Sequence, residues 1–185
     1  MGLLIRKLEV NDLDNFTEID NSFTVNARLV LSISKENNRI EYTVEEIPSY
    51  EKSYLEDQYE DEELAYNEYM NNPDQVIYIA LLHNQTVGVM VLKKNWNRYA
   101  YIEDIKVEKE CRGLGIGRKL IEQAKQWAKD GEMPGIMIET QNNNVAACKF
   151  YEKCGFVIGG FDFLVYKGIN EKNDEVAIYW YLNLK

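Results

Sequence analysis

The spacing of apolar residues along the chain changes between a period of two, typical of strands, and a period of three to four, typical of helices. In the N-terminal third, alternation predicts strands over residues 3–10 and 39–47. Between them, residues 11–19 are predicted to form a helix with Asn11 or Asp12 as its N-cap, because short polar side chains there can accept a backbone N–H. The chain is therefore expected to begin with a strand, a helix and a second strand.

An acidic segment follows the second predicted strand. Pro48 lacks a backbone N–H and is expected to close that strand. Residues 51–70 combine acidic residues with interleaved tyrosines and predict a helix that ends near Pro73. Two interpretations of the acidic residues stay open, a solvated helix face and an acidic rim that attracts a polyamine.

From residue 75 onwards the pattern predicts a sheet with two helices. Short connections join three β-rich runs into an antiparallel meander, at residues 76–82, 87–94 and 99–107. Helical spacing occurs in two later segments, each with a glycine placed to end the helix, at residues 117–130 and 142–156. The other β-rich runs are a strand at 135–141 and a closing hairpin formed by 156–166 and 175–184. This order predicts one domain of the α/β or α+β class.

Composition narrows the classes of function. The 185-residue chain carries 21 basic and 31 acidic side chains, a net charge of −10, which argues against nucleic acid or a membrane as partner and favours a cationic small molecule. The three cysteines lack the C-x-x-C spacing of zinc and redox sites, so reduced thiols and a cytoplasmic location are expected. A single histidine, His83, is too few for a histidine triad or a multi-histidine metal site, and it is expected in a loop.

The segment Glu110–Ala124, ECRGLGIGRKLIEQA, places three glycines between a predicted strand and a predicted helix. Glycines let the backbone approach an anion, and the start of a helix offers unpaired N–H groups to a phosphate. A dinucleotide-binding G-x-G-x-x-G motif would need a third glycine where Arg118 stands, and the lysine and hydroxyl residue of a Walker A loop are missing. The pattern that remains is R-x-x-G-x-G, formed by Arg112, Gly115 and Gly117.

Two motifs resemble hallmarks of the GNAT family of N-acetyltransferases. The first, V-x-x-x-x-R-G-L-G-I-G over residues 107–117, resembles the loop that binds the pyrophosphate of acyl-CoA in that family. The second, N-x-x-A-x-x-F-Y-x-K-x-G-F over residues 144–156, resembles the helix beside the cofactor. The resemblance implies the GNAT fold, an α/β (α+β) fold with a mixed, largely antiparallel central sheet and flanking helices.

The resemblance also implies how acetyl-CoA is bound, with no metal involved. Backbone N–H groups of the loop and of the first helical turn would bind the pyrophosphate, and the strand before the loop would pair with the pantetheine arm. The implied cofactor-binding residues are Ile105, Lys106, Val107, Arg112, Gly113, Leu114, Gly115, Ile116, Gly117, Arg118, Asn144, Ala147, Tyr151 and Lys153. Residues 1–185 would form a single N-acetyltransferase domain, with an acceptor-side part at 1–74, an acetyl-CoA core at 75–167 and a C-terminal strand at 168–185.

Longer stretches resemble one branch of the family, the streptothricin acetyltransferases. They are residues 94–107, residues 138–156 and the acidic, tyrosine-rich N-terminal third. This resemblance implies that an amino group of a cationic antibiotic, streptothricin, is acetylated by direct transfer in a ternary complex, which gives resistance. A GNAT enzyme for another amine (a peptide, polyamine or aminoglycoside) and a module that only binds acyl-CoA are the alternatives, and a homodimer stays open.

Acetyl transfer from a thioester to an amine needs a base for the ammonium proton, a donor to the developing oxyanion and an acid for the departing thiolate. Candidate bases are Glu103 and Asp104 on the strand before the loop and Glu139 on the strand after it, with Asp104 and Glu139 ranked slightly ahead. Strand alternation puts Glu103 and Asp104 on opposite faces unless a bulge intervenes. For each acid, a solvent-facing position and attraction of a cationic substrate stay open.

Tyr151 has two interpretations. The resemblance implies that it is the general acid near the cofactor sulfur, whereas its place on an apolar stripe with Cys154 also fits a core residue. The oxyanion donor would be a backbone N–H near Ile105 or Val107. Cys148 and Cys154 are expected to pack, and no covalent acyl-enzyme is required.

Overall fold

The computed structural model describes residues 2–15, 19–34, 39–53, 69 and 72–184. The strands in these ranges are β1 (Leu4–Lys7), β2 (Phe23–Ile33), β3 (Ile40–Lys52), β4 (Gln75–Leu82), β5 (Gln85–Lys94), β6 (Ala100–Val107), β7 (Gly135–Gln141), β8 (Val157–Asp162) and β9 (Ala177–Asn183). The helices bounded there are α1 (Ile116–Asp130) and α2 (Val145–Lys153), with short 3-10 helices at Val10–Asn15, Lys109–Cys111 and Val165–Gly168. The chain divides into two compact units, Met1–Phe23 with Ser53–Ile136 and Leu184–Lys185, and Thr24–Lys52 with Met137–Asn183.

The first unit is built on four strands in the order β1-β4-β5-β6, each antiparallel to its neighbour. The predicted meander is thereby confirmed. His83 and Asn84 join β4 to β5 with φ angles of 52° and 64°, which are the angles of a two-residue hairpin turn. His83 therefore lies in a loop, as predicted.

Helix α1 packs on one face of this sheet. Leu120, Ile121 and Ala124 on its inner side are fully buried. Gly88 of β5 permits the close approach, because a Cβ added there would lie 3.3 Å from a methyl carbon of Ile116. The helix ends at Asp130 and is followed by Gly131, which confirms the predicted end.

The second unit contains the hairpin β2–β3 and the strands β7, β9 and β8, with β9 in the middle and antiparallel to β8. Helix α2 begins after Asn144, whose side chain accepts the Ala147 N–H at 3.1 Å, and it is followed by Gly155 with a φ of 93°. Asn144 is thus the cap and Gly155 the terminator, as predicted.

Strand β3 corrects two predictions. It runs from Ile40 to Lys52 and passes through Pro48, which was expected to close it. Among the residues that the structure describes, β3 pairs with β2 alone in a two-stranded sheet, so the missing N–H of Pro48 can face an edge without a described partner at little cost. Glu51 and Lys52 consequently belong to a strand and not to the predicted acidic helix, of which Tyr69 is helical and residues 54–68 and 70 lie outside the described residues.

The closing hairpin is shorter than predicted. Strand β8 ends at Asp162, and residues 165–168 form a 3-10 helix where the pattern indicated a strand. The Asp162 carboxylate accepts the N–H groups of Leu164 at 2.6 Å and Val165 at 3.2 Å, and this local turn ends the strand.

The first predicted helix is also shorter than expected. It is a 3-10 turn at Val10–Asn15, and residues 16–18 lie outside the described residues. Asp12 accepts the Glu9 N–H at 2.8 Å and both ends of the Arg6 guanidinium, which lowers the pKa of its carboxyl group. The turn begins at Val10, so neither Asn11 nor Asp12 is its N-cap as predicted. Asp12 lies inside the turn and accepts the N–H of Glu9, the residue before it begins.

Candidate active site

The glycine loop of the first unit requires glycine for its backbone conformation. Gly113 and Gly115 have φ angles of 83° and 81°, in the left-handed region that other residues avoid. A Cβ added to either glycine would meet no atom within 4 Å, so open space lies in front of the loop. The loop thus combines a fixed backbone with room for a ligand close to its main chain.

The loop leads directly into the N-terminus of α1. Gly115 is the N-cap, has no side chain to cap the helix, and accepts the Lys119 N–H at 3.1 Å. The N–H groups of Ile116, Gly117 and Arg118 precede this first intrahelical bond and point out of the helix end. Such an end carries a positive partial charge and binds anions, and the exposed Arg118 adds a full positive charge.

Arg112 fastens the base of this loop. Its guanidinium donates to the carbonyl oxygens of Val107 at 3.0 Å, Ser22 at 2.7 Å and Asp20 at 3.0 Å. The side chain is therefore engaged with the protein's own backbone. A contribution of Arg112 to cofactor binding, as predicted, would come through its main chain and through the position it gives the loop.

A β-bulge interrupts the strand that precedes the loop. Val91 of β5 pairs with Asp104, and the next residue, Leu92, pairs with Ile102, so that Glu103 is an extra residue of β6. Opposite faces were expected for Glu103 and Asp104 only if no bulge intervened. The bulge is present, and it removes that restriction.

The bulge brings both carboxylates to one face of the sheet. Asp104 shares the face of its partner Val91, since directly paired residues point the same way. Val91 and Lys93 lie on that face by alternation, and Glu103 forms an ion pair with Lys93 and accepts the hydroxyl of Tyr69. The two acids are therefore neighbours on one surface.

Each of these two acids has a lysine partner. Lys93 contacts Glu103, and Lys106 lies 3.5 Å from Asp104, with the Lys106 side chain only 8% exposed. Each lysine ammonium thus lies within ion-pair distance of its carboxylate. Burial, with the neighbouring Glu103 carboxylate, raises the pKa of Tyr69, so its hydroxyl keeps its proton and donates to Glu103.

Glu139 on β7, in the second unit, has a different environment. It is half-buried, and burial raises the pKa of its carboxyl group, with a further contribution from the charge of Glu175. Its described hydrogen-bond partner is the hydroxyl of Tyr166, which favours the charged form. A raised pKa makes the Glu139 carboxylate bind a proton more readily than an ordinary glutamate does.

Tyr151 lies in α2 of the same unit and is 5% exposed. Its ring packs against Phe150, Phe156 and Trp180 at centroid distances of 5.4, 5.7 and 6.3 Å. The buried residues of α2 are Cys148 and Tyr151, so Cys148 lies on the buried side of the helix together with Tyr151.

The other residues of α2 differ in exposure. Ala147 is half-buried, and Lys153 is exposed on the last turn. Burial raises the pKa of the Cys148 thiol to about 12, which makes it inert as a nucleophile at neutral pH. Cys148 therefore packs, as predicted, and Cys154 is half-buried.

Comparisons with known proteins agree with this geometry. The family model described as "Acetyltransferase (GNAT) family" matches residues 40–156. The chain belongs to the GNAT family. The predicted α/β fold, with its mixed and mostly antiparallel sheet and its helices, is confirmed, and the protein is an acetyl-CoA-dependent N-acetyltransferase.

Similar proteins extend over almost the whole chain. Streptothricin acetyltransferase A of Bacillus subtilis (strain 168) is 35% identical over 96% of this chain and 98% of its own length. A streptothricin acetyltransferase of Escherichia coli is 37% identical over 89% of this chain and 87% of its length. A crystal structure from Bacillus anthracis str. Ames, provisionally assigned as a streptothricin acetyltransferase in complex with acetyl coenzyme A, is 74% identical, covers 99% of this chain and 100% of its own, and has a TM-score of 0.92.

Some side chains that contact the candidate acids of this GNAT enzyme could not be found from the sequence. Glu139 is contacted by Tyr166, and Glu103 is contacted by Lys93 and Tyr69. None of these three residues belongs to either motif or lies near its partner in the chain. Residues 163–166 are predicted to form the end of a strand, and residues 54–68 beside Tyr69 predict only an acidic helix. Within the described part of the chain, no helix has the length and apolar character needed to cross a membrane.

The loop glycines allow a direct test of the GNAT cofactor site. Gly115→Ala forces a side-chain residue into the left-handed region, at a cost of about 1–2 kcal/mol, so we expect the KM for acetyl-CoA to rise by about 5- to 30-fold. Leu114→Ala is the matched control, because Leu114 is 64% exposed and the substitution keeps the backbone N–H. Steady-state kinetics at varied acetyl-CoA would contradict this account if both variants gave the same KM.

Proposed function

We propose that this GNAT enzyme transfers the acetyl group of acetyl-CoA to an amino group of streptothricin and thereby gives resistance to that antibiotic. The observation that carries the proposal is the similarity to streptothricin acetyltransferases along nearly the full chain, including the N-terminal part outside the cofactor motifs. A match confined to the cofactor motifs would support acetyl-CoA binding and would not indicate which amine is the acceptor. Here the similarity also includes residues of the N-terminal part, 1–74, which is predicted to lie on the acceptor side.

The charge of the protein supports a cationic acceptor. The chain has a net charge of −10, and Glu103 and Asp104 lie on one sheet surface. A net negative charge raises the local concentration of a cation. We assign attraction of the substrate ammonium to these two acids, one of the roles that the sequence left open for them.

The glycine loop is proposed to bind the pyrophosphate of acetyl-CoA. The main-chain N–H groups from Gly113 to Arg118 supply hydrogen bonds, and the N-terminus of α1 supplies positive partial charge. The side chain of Lys106 is buried beside Asp104, so the predicted contribution of Ile105, Lys106 and Val107 is assigned to the β6 backbone. A backbone N–H of Ile105 or Val107 is proposed as the oxyanion donor.

Asn144, Ala147 and Lys153 of the second motif are proposed to contact the cofactor as well. The Asn144 carboxamide oxygen accepts the Ala147 N–H at 3.1 Å, which fixes this side chain at the start of α2. Lys153 is exposed on the last turn of α2 and can reach a phosphate only as a flexible charge.

The chemistry requires one base and one acid. We assign the base to Glu139, because burial raises the pKa of its carboxyl group and the Tyr166 hydroxyl holds the carboxylate in place. Glu139 takes a proton from the substrate ammonium, the neutral amine attacks the thioester carbonyl carbon, and the C–S bond breaks. Tyr151 donates its hydroxyl proton to the departing thiolate. The nitrogen of the tetrahedral intermediate gives up its second proton to the Tyr151 phenolate, and Glu139 releases the first proton to solvent. Acetyl passes directly to the amine, and no cysteine carries it.

A panel of amines tests the choice of substrate. Thiol release from acetyl-CoA is measured with streptothricin, a peptide with a free N-terminus, a polyamine and an aminoglycoside. We expect kcat/KM for streptothricin to exceed the others by at least a factor of about 10², since a site built for one acceptor leaves polar groups unpaired with another. A higher kcat/KM for a different amine would show that the proposed substrate is wrong and that the other amine is preferred.

The cytoplasmic location and the homodimer stay predictions whichever amine is preferred.

A further inference from the structure

We propose that Tyr166 is a positioning residue of the reaction, which acts through its hydrogen bond to Glu139 and keeps that carboxylate ready to accept a proton. The inference rests on the proposed role of Glu139 as the base. Tyr166 has no place in either GNAT motif of this sequence, and its relation to Glu139 is visible only in the fold.

Tyr166 is buried, whereas the apolar residues of its segment are exposed. It is 9% exposed, whereas Leu164, Val165 and Ile169 beside it in the chain are 68%, 43% and 83% exposed. A segment that exposes its apolar residues and buries a tyrosine gains little from ordinary core packing. The buried hydroxyl then needs a partner, and Glu139 provides it.

The backbone holds Tyr166 in this place. The Tyr166 carbonyl accepts the N–H groups of Ile169 at 3.1 Å and Asn170 at 3.0 Å, and the Asp162 carboxylate fixes the turn before it. These bonds make the segment 162–170 a defined turn of chain with the tyrosine ring directed inward. The hydroxyl therefore meets Glu139 from a fixed direction.

The groups around Glu139 have opposing effects on its proton affinity. Burial and the charge of Glu175 favour the neutral acid, and the Tyr166 hydroxyl favours the carboxylate. Tyr179 of β9 and Cys148 of α2 also face Glu139, and the pKa of each is raised, so both stay neutral near pH 7. Glu175 is itself paired with Lys52 at 2.5 Å, which moderates its effect. Among the described groups around Glu139, the Tyr166 hydroxyl is the one that lowers the pKa of its carboxyl group and so opposes its protonation.

Tyr166→Phe removes the hydroxyl and keeps the ring. Without that hydrogen bond Glu139 holds its proton to higher pH, so we expect the acid limb of the kcat/KM profile to move to higher pH. Below the acid limb, kcat/KM should fall about tenfold for each pH unit of that movement, and alkaline buffer should restore it. A purely structural role would lower kcat/KM by one factor at every pH. Tyr179→Phe is the matched control and should leave the acid limb in place, because no hydrogen bond from Tyr179 to Glu139 is described.

Titration of the Glu139 carboxyl carbon by NMR, in wild-type protein and in Tyr166→Phe, separates the positioning role of Tyr166 from the base role of Glu139. Both roles are supported if Tyr166→Phe moves the Glu139 titration and the acid limb of the kcat/KM profile to higher pH. An unchanged Glu139 titration in folded Tyr166→Phe overturns the role of Tyr166 and leaves the base assignment standing. A shifted titration with an unmoved acid limb overturns Glu139 as the base, and with it the catalytic effect of Tyr166.

A double substitution provides an independent check. If Tyr166 acts only through Glu139, then adding Tyr166→Phe to Glu139→Gln causes no further loss of kcat/KM beyond that of Glu139→Gln alone. Near-UV circular dichroism of all variants establishes that they are folded. Additive losses in the double variant would overturn the inference.

Discussion

Replacing Glu139 by glutamine is expected to lower kcat by about 10²–10⁴-fold, the usual effect of removing a general base. Glutamine has nearly the same size and can still accept the Tyr166 hydroxyl, so the change removes proton affinity and little else. The KM for acetyl-CoA should change little, because the glycine loop is untouched. Steady-state thiol release at saturating amine measures the loss.

The other two acids serve as internal controls for Glu139. Glu103→Gln and Asp104→Asn should raise the KM for a cationic amine more than they lower kcat, since both acids are assigned to attraction of the ammonium. If either variant lost more kcat than Glu139→Gln, that acid would be the base and our assignment would be wrong.

The stability of the Glu139→Gln variant distinguishes a loss of catalysis from a loss of folded structure. Because burial raises the pKa of Glu139 in the folded protein, its contribution to stability is present below the unfolded pKa and is lost as pH rises through the folded pKa. Once the pH has risen through the folded pKa that contribution is gone, so Glu139→Gln should be no less stable than the wild type in alkaline buffer. Calorimetric unfolding in alkaline buffer checks this, and a lower midpoint in the variant would contradict it.

Replacing Tyr151 by phenylalanine is also expected to lower kcat by about 10²–10⁴-fold, since the departing thiolate loses its proton donor. The ring contacts with Phe150, Phe156 and Trp180 remain, so acetyl-CoA binding and the unfolding temperature should stay close to those of the wild type. The measurement is kcat together with the dissociation constant of acetyl-CoA by calorimetry.

The control for this substitution is another buried tyrosine. Tyr78 of β4 is 6% exposed and has no assigned role in the reaction, so Tyr78→Phe should retain wild-type kcat. Full turnover by Tyr151→Phe would return Tyr151 to the other interpretation of the sequence, a core residue. An equal loss in both variants would show that the removed hydroxyl acts through stability.

The parts of the fold that the sequence predicted are those with a strong periodic signal. The meander from β4 to β6 alternates over short runs with tight turns, and α1 has apolar residues at helical spacing from Leu120 to Ala128. The glycine loop was predictable because its left-handed residues demand glycine. Residues close together in the chain determine these elements, so the elements can be predicted from the sequence.

The parts that escaped prediction depend on contacts between distant residues. Strand β3 continues through Pro48 because its edge has no described partner, a fact of sheet topology. The bulge at Glu103 arises from the register of β5 against β6, which the sequence of β6 alone does not fix. The pairing of Glu139 with Tyr166 joins residues 27 positions apart through a turn that Asp162 creates.

These contacts also changed the order of the candidate bases. From the sequence, Asp104 and Glu139 were ranked slightly ahead of Glu103 without a decisive argument. The lysine partners of Asp104 and Glu103 now set both apart from Glu139, whose carboxyl group is buried without such a partner among its described contacts. The assignment of the base stays a proposal until the variants are measured.

The most direct test of the central claim is the identity of the product. Wild-type protein is incubated with acetyl-CoA and streptothricin, and the antibiotic is recovered for mass spectrometry while free thiol is counted. We predict one acetyl group on a streptothricin amine for each thiol released, with no product from Glu139→Gln in the same time. Thiol release without acetylated streptothricin, or no release at all, would contradict the account.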